Sequence, residues 1–422
     1  MGYKENIASN LGSQIIRIAV GALTGIVVAR VLGPAGMGKV AYILLVFTLL
    51  GDYGHLGLNN ANMYFLKRGA QSRKHLFGVN ITSLAMLSLL AATAVLSLRA
   101  TGLILQSYHW GYIVAGLAFS ISDLFFTNLQ SWYVGDERIR ESNRYIIGVF
   151  LLKNALLLGL WISGMLSPFR YFSLMVLGML LNATLLWLKV RQKYTPAFDF
   201  GLLRSEFGYG GILWLGSIFS FLFLRADQFM IKNMLGLAEL GTYSISVSLA
   251  ELLFLVPISV SSAFLGKLYN TEDPNSARLL LSRTLKLTLY ACAALAAVGI
   301  PLSFLIPFVY GKAYTGAIYS TMVLLVGAVL SSPARVGMQY FFTLGRPKVH
   351  LWASLATLLT NISLNFVLIP RLGILGAAIA SGIAYALYGL IYIFLFLGPE
   401  KFSFNELFLL NAKDLQELFK RP

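Results

Sequence analysis

The chain has 422 residues, 57% of them hydrophobic and only 12% charged, with a mean hydropathy of +0.74. Soluble globular domains carry about 25% charged residues, so this composition excludes one and points to a polytopic membrane protein. The formal net charge of +16 is spread over short segments between apolar runs, which excludes a nucleic-acid patch, and the single Cys292 leaves no disulfide or thiolate metal site.

A span needs about 20 apolar residues to cross a hydrocarbon core roughly 30 Å thick. Twelve such runs follow one another: 10–31, 40–62, 76–98, 110–133, 145–167, 169–190, 209–233, 241–266, 284–309, 316–343, 349–369 and 374–397. The first is too long for a signal-peptide core and has no small-residue cleavage site, so it reads as a retained span. The N-terminus, the even-numbered loops and the tail, with the span ends beside them, hold 22 of the 33 Lys and Arg residues; the opposite loops and span ends hold 7 and the span interiors 4. Both termini are therefore expected in the cytoplasm.

Polar residues inside the spans mark candidate sites, because an ionisable group in hydrocarbon is costly unless it faces protein or water. In span one, Asn10, Gln14, Arg17, Gly21 and Thr24 repeat at helical intervals and form one stripe, expected to face a cleft or to pack closely on a neighbour. In span two, Asp52, His55, Asn59 and Asn62 fall on one face at helical spacing, and could bind sugar hydroxyls or relay a proton. Asp123 follows in span four and Lys153 in span five. Span seven carries Arg225 and Asp227, span eight Glu251 and span ten Arg335. Asp227 is expected to be a charge partner of Arg225 or Arg17, and Arg225 could alternatively extend its head group to the interface. Trp214 is an interfacial residue or a platform for a sugar face.

No segment between spans is long enough for a catalytic domain. The expected organisation is an N-terminal six-helix bundle (1–190), a cytoplasmic linker (191–208), a C-terminal six-helix bundle (209–397) and a cytoplasmic amphipathic tail (398–422), in which Ser403 and Glu406 have capping-box spacing. Val31-Leu32-Gly33-Pro34-Ala35-Gly36-Met37-Gly38 returns 203 residues later as Met234-Leu235-Gly236-Leu237-Ala238-Glu239-Leu240-Gly241. Six spans separate the copies, so the halves enter the membrane in the same direction and are related by an axis along its normal. The fold class is all-α, with twelve spans in two bundles around a cleft.

These loops, with Leu344-Gly345-Arg346-Pro347-Lys348 and the run from Asn365 through Ile369-Pro370-Arg371-Leu372-Gly373 to Ala380, resemble those of the polysaccharide-unit flippases of the multidrug/oligosaccharidyl-lipid/polysaccharide exporter superfamily. The resemblance implies transfer of a polyprenyl-diphosphate-linked oligosaccharide, such as an O-antigen or exopolysaccharide unit, between leaflets of a bacterial cytoplasmic membrane. It also implies membrane lipids and other polysaccharide-assembly proteins as partners. Arg17, Lys153, Arg225 and Arg335, with Gln14 and Asn59, are the candidate diphosphate and sugar ligands, since a guanidinium offers paired donors and a permanent charge. Asp52, His55, Asp123, Asp227 and Glu251 are candidates for charge pairing or ion coupling. No cofactor is expected; without a phosphate-binding loop, transport would draw on H+, Na+ or the membrane potential. The alternatives are a multidrug and toxin extruder, whose cavity should be dominated by acids, and a membrane polymerase or glycosyltransferase, which needs a large outer loop or clustered catalytic acids.

Overall fold

The computed structural model describes residues 3–59, 61, 72–136, 138–191, 194–268 and 273–409, without the side chains of 3–16, 209, 262, 263, 265–267 and 274. Every regular element among them is helical: α1 (Tyr3–Tyr53), α2 (Arg73–Ala100), α3 (Trp110–Gly135), α4 (Ile139–Ile162), α5 (Pro168–Val190), α6 (Phe200–Met234), α7 (Leu237–Glu251), α8 (Leu255–Leu268), α9 (Pro274–Leu302), α10 (Ile306–Tyr310), α11 (Ala317–Thr343), α12 (Pro347–Leu397) and α13 (Phe404–Phe408), with single 3-10 turns between α7 and α8 and flanking α10. Among the described residues, ten helical runs are long and apolar enough to cross a membrane. Two of them, α1 and α12, are each a pair of helices joined at a glycine outside helical geometry, Gly33 (φ 63°, ψ 178°) and Gly373 (φ 61°, ψ −140°). Counting each limb separately makes the crossings twelve, and the chain is a multi-pass membrane protein. Large apolar side chains left open, such as Leu89, Val114 and Phe308, are the lipid-facing surface.

Local sequence explains where helices begin. Ser72, Ser167 and Asp273 accept backbone N–H bonds at the starts of α2, α5 and α9, and Pro168 and Pro274 occupy first positions where a missing N–H costs nothing. The repeated Leu-Gly loop has one conformation in both copies: Gly236 (φ 99°, ψ −178°) adopts the same extended, positive-φ backbone as Gly33. Only glycine enters that region readily. Span two does not continue to residue 62 as one helix. α1 ends at Tyr53, and residues 54–57 form a turn with Leu56 (φ 49°) and Gly57 (φ 93°) in the left-handed region. Helical spacing therefore does not place Asp52, His55 and Asn59 on one face; Asn62 lies outside the described residues.

The chain divides into two compact units, 1–215 and 216–422, the boundary falling inside the unbroken helix α6. In the first, α1 packs on α3, α4 and α5. The linker is built into it, since Leu202 and Leu203 are buried with Phe77, Trp132 and Leu186 in one apolar cluster. In the second, α11 lies against α12, α9 and α7. Gly389 meets the Leu330 carbonyl and Gly327 meets Gly382, so absent side chains let α11 and α12 approach closely. Residues 398–409 strap across α9: Arg278 donates to Glu406 and to the carbonyls of Glu400 and Lys401, and Tyr290 donates to the Phe408 carbonyl. The capping box between Ser403 and Glu406 starts α13.

Candidate functional site

In the first unit, polar groups gather where α1 ends. Asp123 of α3 packs against Gly51, where a Cβ would collide with its carboxyl, and lies within electrostatic reach of Asp52. His55 turns its ring back on its own turn, Nδ1 accepting from the Gly57 N–H at 2.9 Å. Asn59 Oδ1 accepts from Asn128 Nδ2 at 2.8 Å. Trp214, on the first half of α6, donates its indole N–H to the Tyr53 carbonyl at 2.7 Å, a second donor beside the Leu56 N–H at the end of α1.

Along α1, Gly21 and Thr24 face α4: Gly21 lies beside the Phe150 ring and Thr24 Oγ1 donates to Asn154 Oδ1 at 2.9 Å. At this end the small-residue stripe serves close packing. Arg17 is exposed and meets no carboxylate among the described residues; the side chain of Gln14 lies outside them. Lys153 is half-buried between α4 and α5, its ammonium 3.5 Å from Met175 Sδ and 5.2 Å from the Phe150 ring centroid.

The second unit holds a denser arrangement. Arg225 of α6 forms a two-bonded ion pair with Glu251 of α7, Nη1 to Oε1 at 2.5 Å and Nη2 to Oε2 at 3.0 Å. Arg335 of α11 lies over the Phe254 ring at 3.5 Å and senses the Glu251 charge. Its Nε is buried with no hydrogen-bond partner among the described residues. Glu251 is thus bonded to Arg225, with the Arg335 guanidinium within electrostatic reach. Asp227 and Arg225 feel each other's charge but share no hydrogen bond. Residues two apart on a helix point in different directions, and Asp227 instead accepts from Tyr243 at 2.5 Å, Ser381 at 2.8 Å and the Gln228 N–H at 2.7 Å.

From Asp227 a chain of hydrogen bonds enters α12. Asn361 Nδ2 donates to Ser381 Oγ at 3.1 Å, and Asn365 Nδ2 donates to Asn361 Oδ1 at 2.9 Å. Asn365 Oδ1 is buried with no partner among the described residues. A second set links Ser220, Ser354, His350 and Tyr388, with His350 Nδ1 3.0 Å from the Tyr388 hydroxyl. The structure therefore separates the sequence candidates: Arg225, Asp227, Glu251 and Arg335 lie in one unit, and Arg17, Asp52, His55, Asn59, Asp123 and Lys153 in the other. Asn128, Tyr243, Asn361, Asn365 and Ser381 were not singled out from the sequence. Asn361 and Asn365 stand four apart on one helix, which was the available signal.

A family model described as "polysaccharide biosynthesis protein" matches residues 27–319. A Shigella flexneri protein provisionally named an O-antigen transporter is 23% identical over 201 residues, covering 47% of this chain and 48% of that one, so the chain spans about half the length of the curated relative it matches. The fold is similar to that of an inward-facing multidrug-resistance MATE transporter of the MOP superfamily (TM-score 0.66, 12% identity, 90% of this chain and 93% of that one). It is also similar to that of the lipid II flippase MurJ in an inward closed conformation (TM-score 0.64, 14% identity, 98% and 91%).

Proposed function

Because the chain belongs to the polysaccharide biosynthesis protein family and has the fold of a MOP-superfamily transporter, we propose that it flips a polyprenyl-diphosphate-linked oligosaccharide from the cytoplasmic to the outer leaflet. The observation that carries this reading is the Arg335 guanidinium beside the Arg225–Glu251 pair, its Nε buried with no hydrogen-bond partner among the described residues. An interior N–H donor without an acceptor calls for one. A diphosphate supplies one, and the unengaged Arg335 can donate to its oxygens. Arg17 and Lys153 provide further cations in the first unit. Sugar hydroxyls would find partners in the amides and hydroxyls around Asn59, Asn128 and Ser220. The polyprenyl tail would remain in lipid while the interior opens to one face and then to the other, with both termini cytoplasmic.

The coupling ion, in this reading, is H+ or Na+ held at Asp227. Its carboxylate lies among the Tyr243 and Ser381 hydroxyls, oxygen groups of the kind a proton or a hard cation takes. The ion would supply a charge whose entry and exit bias α6 and α12.

The test is reconstitution in liposomes with a fluorescent polyprenyl-diphosphate oligosaccharide, reading leaflet transfer by loss of protection from an impermeant quencher. Transfer is expected for the native chain and not for Arg335→Ala. Extrusion of lipophilic cations without lipid transfer, or polymerisation of the sugar, would sink the proposal.

A further inference from the structure

The linker segment built into the first unit contains a buried acid that the transport reading does not use. Glu206 is fully buried although it lies on the first turns of α6, ahead of the membrane-crossing stretch Gly210–Met234. Its Oε1 accepts from Asn80 Nδ2 of α2 at 3.0 Å, and that same amide nitrogen also donates to the Leu76 carbonyl at 3.1 Å. Both acceptors surround the nitrogen, which fixes the orientation of the amide. Two atoms are then left buried and without a hydrogen-bond partner among the described residues: Glu206 Oε2 and Asn80 Oδ1, one from each member of the same pair. With the carboxyl ionised they are two acceptors with no donor between them, and such orphans are costly.

We propose that Glu206 is a proton-binding site that latches the linker onto α2. With a proton on Oε2, the carboxyl donates to Asn80 Oδ1 while Asn80 Nδ2 donates to Oε1, closing a two-bonded carboxyl–amide ring that satisfies both orphans at once. The ring sits in a docked segment: Tyr194 OH is 3.4 Å from Thr82 Oγ1, Leu202 and Leu203 are buried against Phe77, and His75 Nε2 is 3.2 Å from Asp199 Oδ2. Loss of the proton leaves a bare carboxylate in an apolar seam and weakens docking of residues 194–208.

The electrostatics have the same sign. Burial pushes the Glu206 carboxyl from 4.5 up to about 7; the Asn80 bond opposes this and the Asp199 charge adds to it. Asp199 is in turn faced by His75 of α2. A group whose docked pKa is raised holds the segment fully below its undocked value and releases it as pH rises through the docked one. The docking equilibrium should therefore fall about tenfold per pH unit between about pH 4.5 and 7.

The experiment uses the full chain in nanodiscs. Infrared difference spectra between about pH 5 and pH 8 should show the C=O band of a protonated carboxyl that disappears with rising pH and is absent from E206Q. Hydrogen-exchange protection factors for residues 194–208 should fall over the same window in the native chain. They should stay constant in E206Q, because a glutamine side chain rebuilds the ring as an amide pair. H75Q should keep the native pH dependence, which separates Glu206 from the His75–Asp199 pair. If E206Q does not insert, N80L should shift the carboxyl band and leave the linker poorly protected at both pH values. The same band and pH dependence in native chain and E206Q, or loss of both in H75Q, overturns the proposal.

Discussion

At the scale of single residues, the decisive contact is the fork between Arg225 and Glu251, which joins α6 to α7 with two bonds. Removing one member leaves the other as an uncompensated interior charge, which costs roughly 3 kcal/mol. Arg225→Ala and Glu251→Ala should each lower the thermal midpoint in detergent. The double variant should cost less than the sum, since neither charge is then stranded. An additive double variant would show that the pair is not an interaction. Arg225→Lys should recover part of the stability, because charge survives without the planar fork. The sequence revealed that these groups were buried charges but not which acid meets which base. Asp227 is near Arg225 in the chain yet turned away from it, whereas Glu251 is 26 residues distant and faces it.

At the scale of elements, helix existence was legible because apolar length is a strong signal, and breaks were legible only where glycine repeated. The Leu-Gly loops at 33 and 236 share backbone angles as well as sequence. Gly33→Ala and Gly236→Ala should each cost about 1–3 kcal/mol, since a Cβ is strained at that φ whatever the surrounding space; thermal unfolding of each variant checks this. The turn at residues 54–57 was not legible. Gly54 and Gly57 sit within an apolar run that satisfies the length criterion, and the turn is held by His55 and by Trp214 from far along the chain. The tail strap gives a prediction with a sign. Donation from Arg278, then from the Ser403 N–H, pulls the Glu406 carboxyl from 4.5 down to about 2. A lowered folded pKa contributes stability above the ordinary value and loses it as pH falls through the folded one. Pepsin should therefore leave residues 400–409 of the native chain intact near pH 4 and cut them near pH 2. Arg278→Gln should be cut at both, and equal resistance in the two proteins would disprove the clamp.

At the scale of the whole molecule, the number of crossings and the transporter family followed from the sequence, because hydropathy and repeated loops act over many residues. The interior chemistry followed less well, since single Asn, Ser and Tyr residues in apolar helices look alike whether they bond to each other or to nothing. Asn361, Asn365 and Ser381 gain meaning only once α6 brings Asp227 to them. This network and the Arg335 site lie in the same unit but use different residues, so ion and substrate roles should be separable. Arg335→Ala removes a charge-assisted donor worth about 1.5–3 kcal/mol, roughly 10- to 100-fold in affinity. It should weaken binding of a polyprenyl-diphosphate sugar while leaving its ion dependence intact. Asp227→Asn should do the reverse, binding the lipid at one affinity whether or not Na+ or acid is present. Coupling between two ligands is reciprocal. If the ion raises lipid affinity by some factor in the native chain, the lipid must raise ion affinity by the same factor, and Asp227→Asn must remove both together. Titrating the labelled lipid against protein in nanodiscs, with and without Na+ and at two pH values, measures that factor directly. A factor that persists in Asp227→Asn would place the coupling ion elsewhere, and Asp52 and Asp123, close to each other in the first unit, would be the next residues to replace.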